Sequence, residues 1–277
     1  MPLTDSRFER LVLQTPDGAR AEVSAHGAQV LHWQTATAPD NRLYLSPLAQ
    51  YRADQAIRGG IPVLFPQFGL FGTLPKHGLV RTRHWQPVPR NTPSSLCLTL
   101  PDDAASRACW PHAFRLTLSV SLSAQALEVG LEVVNTGATA FSFTVGLHSY
   151  LAVNNLQQLR LHGLSGLDYL DAASGLAQRR DTADAVAVNG EIDRVYVGAS
   201  EPLSLRDAGR DTAISQTGFT DVVVWNPGPQ ATLADLPQAA YQDMLCVEAA
   251  VIAQPVVLLP GARWQGAQRL EAVAPAS

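Results

Sequence analysis

The chain has 277 residues, 46% of them hydrophobic and 16% charged, with a formal net charge of −4. That is enough apolar material for a sizeable core, and there is no basic run that could track a nucleic-acid backbone. No apolar run reaches membrane-spanning length without charge or proline, and residues 1–10 contain no signal-type segment, so a cytoplasmic protein without nucleic-acid or membrane partners is expected.

Three cysteines, Cys97, Cys109 and Cys246, show no Cys-x-x-Cys spacing. They predict three reduced thiols rather than a disulfide framework or a zinc site. The seven histidines are scattered. A metal assembled from distant histidines and carboxylates is left open by the sequence, with no positive sign for one.

From residue 8 to residue 33, the short apolar runs Leu11-Val12-Leu13, Ala21-Glu22-Val23 and Val30-Leu31 are separated by Pro16-Asp17-Gly18 and Gly27. This is the punctuation of short strands. A loop over 35–41, a strand at 43–45 and a helical turn or two within 50–57 are expected next. The segment 58–81 then reads Arg-Gly-Gly-Ile-Pro-Val-Leu-Phe-Pro-Gln-Phe-Gly, a short link, and Lys-His-Gly-Leu-Val-Arg. It gathers Arg58, Lys76, His77 and Arg81 among glycines that allow sharp turns and prolines that stiffen them. It predicts the mouth of a site for a small anion; the plainer alternative is a core strand at 61–65 between two ordinary loops.

Strands are expected at 85–88 and 96–100. Apolar residues then occupy 114, 116, 118, 120 and 122, continue at Leu127, Val129, Leu131 and Val133, and resume at Phe141, Phe143, Val145 and Leu147 after the turn Asn135-Thr136-Gly137. A period of two over this length predicts three half-buried strands in an antiparallel meander. In the third, Ser142, Thr144, Gly146 and His148 share the face opposite the core. Leu245 and Val247 likewise oppose Cys246 and Glu248. For a glutamate in such an apolar setting, a salt bridge or an exposed edge is the alternative to a functional role.

Shorter runs lie at 168–171 and 192–197. A buried-type strand at 221–225 is stopped by Asn226-Pro227-Gly228-Pro229. Residues 232–240 are the best helix candidate, limited by Pro237, and strands at 256–259 and 263–272 close the chain. No linker or repeat interrupts it. The expectation is all-β: one domain over residues 1–277, a large antiparallel β-sandwich.

Six pieces, in this order, resemble the aldose 1-epimerase (galactose mutarotase-like) superfamily, and most of all its hexose-6-phosphate 1-epimerase branch. They are the run from Arg58 to Gly69, His77-Gly-Leu-Val-Arg81, Leu147-His148-Ser-Tyr150, Asp193-Arg-Val-Tyr196, Asp221-Val-Val-Val-Trp-Asn-Pro-Gly228 and Cys246-Val-Glu248. The resemblance covers about residues 55 to 271. It implies a β-supersandwich with the sugar on the concave face of one sheet, His148 as general acid and Glu248 as general base. It further implies His77 and Asp193 on the sugar hydroxyls, and Arg58 and Arg81 suit a phosphate through their guanidinium forks.

The implied reaction opens the sugar ring: a base takes the C1 hydroxyl proton while an acid protonates the ring oxygen, and reclosure after rotation about the C1–C2 bond gives the other anomer. It needs no metal and no nucleotide, so no cofactor is expected. A glutamate with a raised pKa and a histidine able to stay protonated near neutral pH would suit it. A small phosphosugar is the expected partner, and a monomer the expected state, with a dimer open.

The chain departs from the family pattern at Leu79-Val80 and Gln67, with Arg83 just beyond. Alternatives remain for several residues. Arg58 or Arg81 could be surface ion-pair partners, Asp193 could pair with Arg194, and Trp225 could be core rather than a sugar platform. A mutarotase for unphosphorylated aldoses and a non-catalytic carbohydrate-binding protein on the same fold are the competing functions.

Overall fold

The computed structural model describes residues 8–89 and 92–273; most of the N-terminal stretch read above for signal character lies outside them. In chain order, β1 (Arg10–Gln14), β2 (Arg20–Ser24) and β3 (Gln29–Gln34) form a three-stranded antiparallel sheet. A long irregular stretch leads to β4 (Val63–Leu64), followed by β5 (Gln86–Val88), β6 (Ser95–Pro101) and helix α1 (Ala104–Cys109). The alternating centre becomes β7 (Phe114–Leu122), β8 (Ala126–Asn135), β9 (Phe141–Leu147) and β10 (Tyr150–Ala152). Short strands come next: β11 (Arg160–His162), β12 (Asp168–Asp171), β13 (Ala177–Arg180), β14 (Ala185–Val186), β15 (Ile192–Tyr196), β16 (Leu203–Arg206) and β17 (Thr212–Thr217). Last are β18 (Asp221–Asn226), the long β19 (Met244–Leu258) and β20 (Arg263–Ala272).

Two large sheets face each other. One runs β14-β11-β16-β17-β20-β8-β7-β6-β5, the other β13-β12-β15-β18-β19-β9-β4, with β10 also paired to β19. Large antiparallel sheets packed in this way are the all-β sandwich read from the pattern. The core between them takes the apolar face of every alternating strand, including Leu116, Leu118, Val129, Leu131, Phe143, Val145 and Val247. Each such side chain contributes on the order of 1.5–3 kcal/mol by leaving water.

The expected three-strand meander holds for β7 and β8 but not for β9. β8 pairs with β7 on one edge and β20 on the other, so no edge is left for a third strand. The Asn135 side chain instead donates to the carbonyls of Thr139 and Leu258, and the chain crosses to the facing sheet, where β9 pairs with β19 and β4. Alternation fixes which side of β9 meets the core; either sheet satisfies it.

The helix readings also shift. Residues 50–57 form bends, not helix, and the 232–240 candidate shrinks to a 3-10 segment, Gln238–Gln242, starting after Pro237. α1 was overlooked, although its start is written in the sequence: Asp103 accepts from the Ser106 backbone N–H (2.6 Å) while Ser106 Oγ accepts from the Asp103 N–H (2.8 Å), a capping box that nucleates a short helix. The runs at 245–248 and 256–259 belong to one strand, β19, whose pairing with β9 slips between Val251 and Val256. Buried Asp221 accepts the backbone N–H groups of Ile252 and Ala253 at that irregularity.

Candidate active site

The face of the β19-containing sheet turned away from the core carries the polar residues whose phase was read above. Register aligns them in two rows. Asp193 on β15 faces Trp225 on β18, Trp225 faces Cys246 on β19, and Cys246 faces Tyr150 on β10. In the next row Val195 faces Val223, and Val223 faces Glu248. His148 sits at the end of β9, its N–H donating to the Pro62 carbonyl (3.0 Å), which brings its ring beside Glu248. Phe68 packs over Gly146, and its N–H donates to Thr144 Oγ1; the hydroxyl and glycine of β9's outer face therefore anchor the loop that covers the site.

His148 Nδ1 and Glu248 Oε1 are 3.3 Å apart, and both side chains are almost wholly buried. The contact lacks hydrogen-bond alignment: His148 Nδ1 and Glu248 Oε2 are both buried without a hydrogen-bond partner. Glu248 is thus neither an exposed edge residue nor half of a strong ion pair. Burial raises its pKa well above the carboxylate range, nearby Asp193 adds to this, and Lys76 opposes it. Burial drives His148 the other way, well below the usual imidazole value, reinforced by His77, Arg58, Arg81 and Lys76. A histidine that stays protonated near neutral pH would suit the reaction, but its surroundings favour the opposite: four cationic or titratable neighbours and a dry setting disfavour the imidazolium. The two groups interact closely enough to titrate as a unit.

Two adjoining cavities share Arg58, His77 and His148. One, about 340 Å³, is lined by the His148–Glu248 pair with Asp193, Trp225, Phe68 and Lys76 among others. The other, about 470 Å³, holds Arg81, Asp235 and Tyr150. Both are of ligand-binding size.

The segment 58–81 forms the wall between them. It is held close to the body by glycines: a Cβ at Gly60 would collide with the Val30 carbonyl, and one at Gly78 with the Phe65 carbonyl. His77 adopts a left-handed φ of 67°, a strained conformation for a non-glycine residue that the surrounding loop imposes. Its Nδ1 accepts the Gly69 N–H (3.2 Å), which puts the ring proton on Nε2. Burial, with Arg81, Lys76 and Arg58 nearby, pushes its pKa down to about 3; His77 is a neutral donor at any working pH. The buried Gln67, at a position of family departure, clamps the same loop by donating to the Gly69 and Leu74 carbonyls and accepting the Leu74 N–H.

The two arginines are not equivalent. Arg58 binds Asp235 through Nε (3.1 Å) and the Tyr150 hydroxyl (3.0 Å); burial would lower its pKa, but these partners outweigh it and raise the value. Arg81 donates to the Lys76 carbonyl (3.1 Å) and has no ion-paired carboxylate among the described residues. Burial lowers its pKa. Asp193 lines the cavity and does not pair with Arg194, which binds Asp181 and Tyr196 instead. Burial raises the Asp193 pKa to about 6, with Lys76 opposing and Glu191 and Asp171 assisting. Trp225 is partly buried and lines the cavity. Arg83 pairs with Asp103, away from the site.

Sequence reasoning gave no role to Tyr150 and passed over Asp235. Tyr150 stacks flat on His148, ring centres 4.6 Å apart and planes 6° apart; its position two residues after His148 was the available signal. Asp235 comes from a loop whose only sequence mark is its prolines and glycine, and nothing there pointed to Arg58.

All the sequence-derived site residues thus converge: Arg58, His77, His148, Asp193 and Glu248 on the smaller cavity and Arg81 on its neighbour. Fold and site together define a β-sandwich protein with a buried carboxyl–imidazole pair at the floor of a cation-rimmed cavity. The sequence pattern of the Aldose 1-epimerase family matches residues 9–271; the chain belongs to that family, and with it to the isomerases. A protein of Cenchrus ciliaris with the provisional name glucose-6-phosphate 1-epimerase is 33% identical over 98% of this chain and 86% of its own length. One of Salmonella typhimurium, with the same provisional name, is 28% identical over 90% of this chain and 85% of its own length. A crystal structure of YeaD, provisionally named a mutarotase, from Salmonella typhimurium superposes with a TM-score of 0.84 at 26% identity, covering 95% of this chain and 90% of that one. A GalM/aldose epimerase homologue from C. elegans shares the fold, with a TM-score of 0.75 at 12% identity over 96% of this chain and 99% of that one. Among the described residues no helix is long and apolar enough to cross a membrane.

Proposed function

We propose that the protein is a hexose-6-phosphate 1-epimerase, acting on glucose 6-phosphate or a close relative. The observation that carries this reading is Arg81: a half-buried guanidinium without an ion-paired carboxylate among the described residues, adjoining the His148–Glu248 cavity. Such a group calls for an anion. Asp235 already offsets the charge of Arg58, so Arg81 and Lys76 supply the uncompensated positive charge that matches a phosphate, with Arg58 oriented as a fork beside them.

Glu248 and His148 serve as base and acid. The opposed shifts of the two groups start the pair's shared proton on Glu248. Moving that proton across the 3.3 Å to His148 Nδ1 gives a carboxylate and an imidazolium without changing the proton count. Glu248 Oε2 then takes the C1 hydroxyl proton while His148 Nε2–H protonates the ring oxygen, opening the ring. Phosphate charge beside Arg58 and Arg81 offsets the cations that depress the histidine and so favours the imidazolium once substrate is bound. His77 Nε2–H donates to a sugar hydroxyl and Asp193 accepts from another, with Trp225 and Phe68 against the ring. The site draws on segments from Arg58 to Glu248, which supports one domain, and the three unpaired cysteines suit a reducing, cytoplasmic setting.

The test is saturation-transfer NMR or polarimetry on α-glucose 6-phosphate and on glucose at equal concentration. Faster interconversion of the phosphate is expected. Faster interconversion of free glucose would overturn the reading in favour of an unphosphorylated aldose.

A further inference from the structure

Three ligating side chains meet at the edge of the smaller cavity, His148 and Glu248 lining it and Cys246 buried just beneath them. Ligand atoms of His148, Cys246 and Glu248 all lie within 4.8 Å of one another, and the residues are 7%, 0% and 2% exposed. His148 Nδ1 and Glu248 Oε2 are buried without partners, and Cys246 Sγ has only a weak 4.0 Å contact to Met244 Sδ. Each buried, unsatisfied polar atom destabilises the fold. Two of them beside a thiol mark a place where a cation could gain all three ligands.

Tetrahedral zinc, with bonds of about 2.0–2.1 Å to nitrogen, 2.3 Å to sulfur and 2.0–2.2 Å to oxygen, needs its ligand atoms roughly 3.3–3.8 Å apart. The histidine and glutamate already stand at 3.3 Å, and a small side-chain adjustment brings in the thiol. The cavity lined by His148 and Glu248 gives the ion an entry path and leaves its fourth position open. A thiolate in the set selects zinc over magnesium or calcium.

We propose that His148, Cys246 and Glu248 form a Zn²⁺ site whose occupancy blocks epimerisation, because the ion takes the imidazole and carboxylate lone pairs that proton transfer requires. Binding expels the thiol proton, and the carboxyl proton where Glu248 carries one, to solvent. The binding half rests on geometry alone; the inhibitory half rests on the proposed acid/base roles.

The test uses the full chain, freed of metal and titrated with Co²⁺ and then Zn²⁺ alone. One Co²⁺ per chain with a sulfur-to-cobalt charge-transfer band, displaced by Zn²⁺, is expected. Zn²⁺ should inhibit epimerisation, chelator should restore it, and Mg²⁺ should have no effect. Cys246→Ala should retain epimerase activity, lose the band and weaken Zn²⁺ inhibition by roughly tenfold or more; Cys97→Ser and Cys109→Ser should behave as wild type. Should the alanine melt early, Cys246→Ser with its own melting curve gives the same readout. Inhibition of Cys246→Ala at the wild-type Zn²⁺ concentration, or Co²⁺ binding without the band, would overturn the site. A chain that binds Co²⁺ through Cys246 but never turns over sugar would leave the site standing and overturn the proposed function instead.

Discussion

The sheet floor and the 58–81 segment contribute to the site in opposite ways. Glu248 projects from β19 and His148 directly follows β9, which pairs with β19 up to Leu147, so their separation is set by the hydrogen-bond ladder and the His148 N–H bond to the Pro62 carbonyl. Arg58, Lys76, His77 and Arg81 stand on irregular chain held by glycine contacts, a Gln67 clamp and a strained His77. In the proposed mechanism proton transfer, which tolerates little error in position, falls on the rigid element. Charge recognition acts over a longer range and is placed on the loop. The difference implies that reaction and substrate selection are separable, and three experiments probe that separation.

The largest effect is expected from Glu248→Gln. It removes the proposed base while keeping shape, so kcat should fall about 10²–10⁴-fold with KM nearly unchanged; loss of binding with the exchange rate intact would break the division between floor and loop. Next is Arg81→Ala. Loss of a charge-assisted contact worth about 1.5–3 kcal/mol should lower kcat/KM for hexose 6-phosphate roughly 10–150-fold and leave the slow turnover of free glucose unchanged. An equal loss on both sugars would show that the loop shapes the chemistry too.

The smallest effect concerns Asp193, on the sheet and lining the same cavity but not part of the pair. Its folded pKa of about 6 lies above the usual aspartate value. Its stability contribution is therefore present below the unfolded pKa, near 4, and is lost as pH rises through about 6. Asp193→Asn should raise stability at pH 7 by on the order of 1–2 kcal/mol, allowing for partial solvent access, as read by denaturant melts. The same change should remove the fall in kcat/KM that is expected of wild type as pH drops below about 6. A wild-type profile flat through that range would exclude Asp193 as a hydrogen-bond acceptor for the sugar.

The sequence was most legible where one physical rule dominates. A period of two placed His148 and Glu248 on outward faces because side chains alternate along a regular strand, and the last strand, 263–272, emerged with its bounds intact. It was least legible where the outcome depends on which partner is free. The crossing of β9 away from β8 turned on β20 already occupying that edge. The Arg58–Asp235 pair joins residues 177 apart in sequence, and no local pattern encodes such a distance.

By itself, then, the sequence determined the all-β class, the faces of the strands and the roster of polar residues that a sugar site needs, since all three follow from local alternation and residue chemistry. Tertiary structure alone decided the two-row register that joins Asp193, Trp225, Cys246 and Tyr150, the inequality of Arg58 and Arg81, and the direction in which His148 titrates. Those properties depend on burial and on charges brought together from distant parts of the chain, and they exist only once the sheets have closed.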